Sequence, residues 1–245
     1  MNYLKYPFYA IYRIWFYILV LSSIVILLPF LIISIISEKN YKFFFTLARI
    51  WAKIILFGMG YSTKTSIQES INPQKSYMFI ANHTSMLDIM LMLKVVKNPF
   101  VFVGKKELSK IPLFGFFYKR TCILVDRNDP KSRKEVYNQA VKRLNDGLSI
   151  CIFPEGLVPE DESIILAPFK DGAFSLSIEH QLPIVPICFL DNKEKFSYTF
   201  FSGGLGTLRT IILPFISTKD LNISERKKLK EQAYQLIFNE LNSNL

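Results

Sequence analysis

Residues 14–37 carry no charged side chain, and this stretch constrains the chain more than any other. An apolar run of roughly 24 residues is long enough to cross a hydrocarbon core of ~30 Å as a helix. It is too long for the apolar part of a signal peptide, and no small-residue cleavage pattern follows it. Pro29 lies inside the run and predicts either a kink or a re-entrant hairpin. Residues 41–61 then mix apolar side chains with Lys42, Arg49 and Lys53. That mixture predicts an amphipathic helix lying in a membrane interface with Trp51 dipping into lipid, although a cytosolic core helix shares the pattern. Basic residues are denser after the apolar run than before it, so the rest of the chain is expected on the cytoplasmic side of an inner membrane.

Composition agrees with a lipid setting. Half of the 245 residues are hydrophobic, and the net charge is +10. An anionic membrane surface suits both properties at once. A nucleic-acid-binding protein would interleave basic runs with aromatics, and that pattern is weak here, so no nucleic-acid partner is expected. Cys122, Cys151 and Cys188 each sit in an apolar run and read as small buried hydrophobes of a reducing compartment. The two histidines, His83 and His180, form no metal-ligand spacing, so no metal site is expected.

The length suggests one domain behind a membrane segment, with 1–60 as the anchor and 61–245 as the globular unit. Apolar runs at 62–68, 77–81, 100–103, 122–125, 149–153 and 184–189 read as strands. Helical patterns fall at 86–96, 131–145, 172–179 and 225–241. Strands alternating with helices predict an α/β fold: a mixed, largely parallel sheet flanked by helices. Residues 195–201 and 207–213, either side of the turn Ser202-Gly203-Gly204-Leu205-Gly206, read as a β-hairpin.

Polar residues gather where the predicted strands end. His83 follows one strand, and Asp88 lies about one turn inside the next predicted helix, which Thr84 or Ser85 can cap. Helical positions five apart point about 140° away from each other, so the pair can meet only if His83 stays outside the helix. There the carboxylate would hold one ring nitrogen and leave the other to take a proton. A partly buried histidine that merely satisfies backbone groups remains the alternative. Lys105 and Lys106, at the end of another strand, suit a phosphate but are equally a solvated pair. Arg127 can clamp a phosphate or carboxylate. Glu155 ends a further strand, with Gly156 permitting close backbone approach. Four strand ends of this kind would meet on one edge of a sheet, as a binding site.

Together these blocks resemble the bacterial glycerolipid acyltransferases of the 1-acylglycerol-3-phosphate acyltransferase type. The family's histidine-x4-aspartate signature matches His83 and Asp88 within Asn82-His83-Thr84-Ser85. A second block matches Gly104-Lys105-Lys106-Glu107-Leu108 through Pro112-Leu113-Phe114-Gly115, then Val125-Asp126-Arg127. A third matches Phe153-Pro154-Glu155-Gly156, with Phe169-Lys170-Asp171-Gly172 downstream, and a fourth matches Leu182-Pro183-Ile184-Val185-Pro186. The resemblance implies acyl transfer from acyl-CoA or acyl carrier protein to the sn-2 hydroxyl of a membrane lysophospholipid, with no further cofactor. It implies His83 as base and Asp88 as its orienting partner. Lys105, Lys106, Arg127, Glu155, Gly156 and Lys170 fall to substrate binding. Backbone N–H groups near the helix start are expected to stabilise the oxyanion. No G-x-S-x-G turn is present, so direct attack on the thioester is expected, without an acyl-enzyme. The chain departs from the family where Thr-Arg normally follows the third block. Leu157-Val158 stands there instead, followed by Pro159-Glu160-Asp161-Glu162, so the family's phosphate-binding arginine is missing. This leaves a different lysolipid acceptor, or a non-catalytic basic membrane protein, as rival readings.

Overall fold

A computed structural model of the protein describes residues 5–126, 129–159 and 161–244. Two helices come first. α1 (Lys5–Ser34) runs through Pro29 without a break, and a short 3₁₀ turn then reverses the chain into α2 (Tyr41–Gly58). The re-entrant turn expected at Pro29 therefore falls beyond the helix, after Ser34. At ~1.5 Å per residue, α1 is about 45 Å long. It presents Ile14, Ile18, Leu21, Val25 and Ile26 outward, each about half exposed or more, while Tyr12 and Phe16 are buried against the domain. Two side chains tie α1 to the end of α2: the Tyr12 hydroxyl donates to the Met59 carbonyl at 2.9 Å and the Trp15 indole to that of Gly58 at 2.9 Å.

Behind the hairpin lies one seven-stranded sheet: β1 (Tyr61–Ile67), β2 (Met78–Ala81), β3 (Phe100–Lys105), β4 (Ile123–Val125), β5 (Ser149–Ile152), β6 (Ile184–Phe189) and β7 (Gly206–Ile212). Its order is β1-β7-β6-β2-β5-β3-β4, and only the β6–β7 pair is antiparallel. Central strands β2 and β6 are buried along their whole length, which is why they read as unbroken apolar runs rather than alternating ones. The covering helices are α3 (Leu87–Val95), α4 (Phe114–Thr121), α5 (Pro130–Asn145), α6 (Gly172–Glu179), the short α7 (Asn192–Phe196) and α8 (Arg226–Asn242). α2 packs between α1 and α3, and its Phe45, Ala52, Ile55 and Leu56 enter the same core as the sheet. Strands β2, β5 and β3 are parallel neighbours, so the loops that follow them emerge side by side on one edge.

The hairpin predicted at 195–201 and 207–213 does not form. Asn192–Phe196 is helical, and β7 pairs with β1 in parallel and with β6 antiparallel. The carbonyls that a hairpin partner would need are taken from elsewhere. The Arg13 guanidinium, buried on α1, donates to the carbonyls of Ser197, Thr199 and Phe200 and lies 4.4 Å over the Phe196 ring. Helix α4, unmarked in the sequence pattern, buries Phe117 and Tyr118.

Candidate active site

His83 lies in the loop between β2 and α3, outside the helix, and its Nδ1 is 2.7 Å from Asp88 Oδ2. Asp88 is fully buried in the first turn of α3. The same Oδ2 accepts the backbone N–H groups of Thr84 at 2.7 Å and Ser85 at 2.9 Å. Its Oδ1 accepts from the Asn192 side-chain amide at 2.7 Å. With donors on both oxygens the carboxylate acts as an acceptor, so His83 Nδ1 carries the ring proton. Nε2 is left with its lone pair. Phe153 stacks on the imidazole, with centroids 4.3 Å apart, and fixes the ring plane.

Two further side chains brace this loop. Asn82 clamps the end of β6: it donates to the Phe189 carbonyl at 3.0 Å and accepts the Phe189 N–H at 2.8 Å. Glu155 is 2 % exposed and reaches backward: its oxygens accept the N–H of His83 at 2.6 Å and of Ala167 at 2.8 Å. Burial raises its carboxyl to about 7, against the opposing pull of those two donors. Gly156 follows with φ +82°, a left-handed conformation that glycine adopts at no steric cost.

In front of His83 opens an apolar cavity of about 860 Å³. It runs beneath α2, where Phe44, Phe45, Ala48 and Trp51 line it, and continues past Ile24 and Leu31 of α1. Phe100 and Phe102 of β3 and Phe117 of α4 complete the wall. Tyr118 packs so closely on β3 that a Cβ at Gly104 would sit 1.8 Å from its hydroxyl oxygen, which explains the glycine. The lining also includes polar residues: Lys105 and Lys193, Asp161 and Glu162, and Thr199, whose hydroxyl donates to Glu162.

The structure brings together only part of the residue set read from the sequence. His83, Lys105 and Gly156 line the cavity, and Asp88 stands behind His83. Glu155 faces the His83 loop and not the cavity, so its geometry is that of a brace. Lys106 lies 3.9 Å from Asp126, and Lys170 is exposed and not part of the cavity lining, its backbone N–H on the Pro154 carbonyl. Arg127 lies outside the described residues. The backbone donors expected to face an oxyanion are occupied: the N–H of His83 by Glu155, those of Thr84 and Ser85 by Asp88. Asn192 and Lys193 carried no signal in the sequence, because they lie more than 100 residues from the His83 loop and belong to no motif near it. Leu157 and Val158, where the resemblance expects Thr-Arg, line the cavity as apolar wall. Among the described residues no cluster of histidine, cysteine or acidic side chains can hold a metal ion.

The domain is α/β with a largely parallel sheet and a carboxylate-held histidine on an apolar cavity, and the acyltransferase family profile matches residues 62–190. The chain belongs to the acyltransferase family and is an enzyme of that class. It is 30% identical over 223 residues to the 1-acyl-sn-glycerol-3-phosphate acyltransferase of Escherichia coli, covering 88% of this chain and 86% of that one. The enzyme of the same name from Haemophilus influenzae is 31% identical over 176 residues, or 71% of this chain and 72% of the other. The crystal structure of the 1-acyl-sn-glycerophosphate acyltransferase from Thermotoga maritima superposes with a TM-score of 0.77 at 19% identity, covering 99% of this chain and 97% of that one, and so shares the fold.

Proposed function

We propose that the protein transfers a fatty acyl group from acyl-CoA or acyl carrier protein to the sn-2 hydroxyl of 1-acylglycerol-3-phosphate, giving phosphatidic acid at the cytoplasmic face of the inner membrane. One observation carries this reading: His83, held through Nδ1 by Asp88, lines an apolar cavity of about 860 Å³, which is room for an acyl chain. His83 takes the acceptor's hydroxyl proton, and the oxygen attacks the thioester carbon. Asp88 keeps the ring in its productive tautomer and stabilises the imidazolium that forms. The relatives named above support the acceptor. Lys105 and Lys193 on the cavity wall supply cations for its phosphate in place of the missing arginine. The exposed apolar side chains of α1, which contains an 18-residue stretch of mean hydropathy 2.8, support insertion into lipid, which holds the site where the acceptor lives.

A second acceptor class is favoured by Asp161 and Glu162. Two carboxylates line the cavity together with the two lysines, and Lys193 lies within electrostatic reach of both, a pairing that suits a zwitterionic lysolipid carrying an amine beside its phosphodiester. Thin-layer analysis of the purified protein separates the two. Lysophosphatidic acid, lysophosphatidylethanolamine and a neutral lysolipid are offered in turn, each with acyl-CoA and with acyl carrier protein. Preferential product from lysophosphatidic acid supports the first reading, and preference for the ethanolamine lipid replaces it with the second. No product from any pairing removes both.

A further inference from the structure

Around His83 most of the loop's own donors are spent. Besides the three N–H groups on Glu155 and Asp88, the N–H of Leu87 goes to Ser85 Oγ at 3.0 Å and that of Asp88 to the Ser85 carbonyl at 3.3 Å. The Ser85 hydroxyl donates to the Phe196 carbonyl. The Thr84 side chain stands apart. It is 7 % exposed, directly follows the base and lines the same cavity, yet its Oγ1 has no hydrogen-bond partner. A buried hydroxyl without a partner is unfavourable for folding, and a valine of the same shape would avoid it. Such a group is retained at a cost in stability when it is needed at another stage of the reaction cycle.

If the site transfers acyl groups as proposed above, that stage is the tetrahedral intermediate. The acceptor oxygen bonds to the thioester carbon as its proton moves to His83 Nε2, and the carbonyl electron pair moves onto oxygen. Collapse re-forms the carbonyl and breaks the carbon–sulfur bond, and the leaving thiolate recovers the proton from His83. The transient oxyanion needs a donor, and the N–H groups of His83, Thr84, Ser85, Leu87 and Asp88 are already engaged. We propose that the Thr84 hydroxyl is that donor, a catalytic residue specific to the transition state. Rotation about χ1 re-aims the hydroxyl with no backbone movement. Thr84 keeps its proton throughout.

The experiment compares Thr84→Val and Thr84→Ser with wild type, using palmitoyl-CoA and 1-acylglycerol-3-phosphate, with thermal unfolding measured in parallel. Loss of an oxyanion donor lowers kcat by roughly 100-fold or more. The expected result is such a loss in the valine variant, with KM within about twofold and a Tm equal to or above wild type. The serine variant stays within about threefold of wild-type kcat. A non-reactive thioether analogue of palmitoyl-CoA, which has no carbonyl to polarise, is expected to bind wild type and Thr84→Val equally. The proposal is overturned if the valine variant keeps wild-type kcat, or if it fails to fold, because then the hydroxyl was structurally bonded after all. A wild type that transfers nothing refutes the acyl-transfer reading itself and this proposal with it. An active wild type with an equally active valine variant refutes the proposal alone.

Discussion

The two sides of His83 are built on opposite principles. Behind the ring the polar groups are almost all matched: Asp88 receives four donors, Glu155 two, and Asn82 bonds both ways with Phe189, while Asn192 Oδ1 is left without a partner among the described residues. In front of it lies an apolar cavity, with a few charged groups in its lining and the hydroxyl of Thr84 unpaired. A saturated buried network is rigid, because releasing any member strands its partner in a low-dielectric interior. An unsaturated cavity is available to a ligand. Under the proposed function, the difference separates residues that hold the base in place from residues that meet the substrate, and it moves Glu155 from the second group to the first.

Variants can break or sharpen that contrast. The largest effect is expected behind the ring. Asp88→Asn keeps the shape but offers an amide to groups that are themselves donors, so His83 loses its enforced tautomer. Its kcat is predicted to fall by roughly 10³–10⁴-fold with KM little changed, in steady-state acyl transfer. A fall of less than tenfold would mean that Asp88 does not set the state of His83. On the cavity side the effects are smaller and appear as affinity. Truncating Lys105 removes a charge-assisted contact, so Lys105→Ala should raise KM for lysophosphatidic acid by about tenfold or more. Exposed Lys170, outside the cavity, should change KM by less than about twofold when replaced by alanine. Equal responses from the two lysines would dissolve the distinction between lining and non-lining cations.

The smallest expected effect is on stability. Glu155 ionises near 4.5 when unfolded and near 7 when folded, because burial disfavours its charge. A group shifted upward in this way favours the fold fully below pH 4.5, and that contribution is lost as pH rises toward 7. Across this window wild type should lose roughly 2–3 kcal/mol on account of Glu155, and Glu155→Gln should lack that slope. Denaturant titrations at several pH values measure it. A wild type and a glutamine variant with parallel profiles would show that Glu155 titrates normally.

Much of this architecture is visible in the chain itself. Strands β2 and β6 stand out because they are buried on both faces, and the pairing of His83 with Asp88 follows from spacing once His83 is kept outside α3. What escapes local reading is set at a distance. Asn192 reaches Asp88 across 104 residues, and Glu155 reaches His83 across 72. The segment 195–201 has the alternation of a strand, but its carbonyls go to Arg13, which precedes it by more than 180 residues. The partners of β7 are likewise a matter of topology: an alternating strand pairs equally well with any neighbour, and here β1 lies beside it in parallel. A side chain's identity is local information, but its hydrogen-bond partners are not.

The central claim, that His83 is the base of an acyl transfer into lipid, is tested most directly by reconstituting wild type and His83→Ala in phospholipid vesicles and following transfer from acyl-CoA to lysophosphatidic acid. The account predicts phosphatidic acid from wild type and a rate at least about 10²–10⁴-fold lower from His83→Ala, with both proteins folded and equally bound to the vesicles after a high-salt wash. Near-wild-type turnover by the alanine variant, or release of either protein into solution by salt, would contradict it.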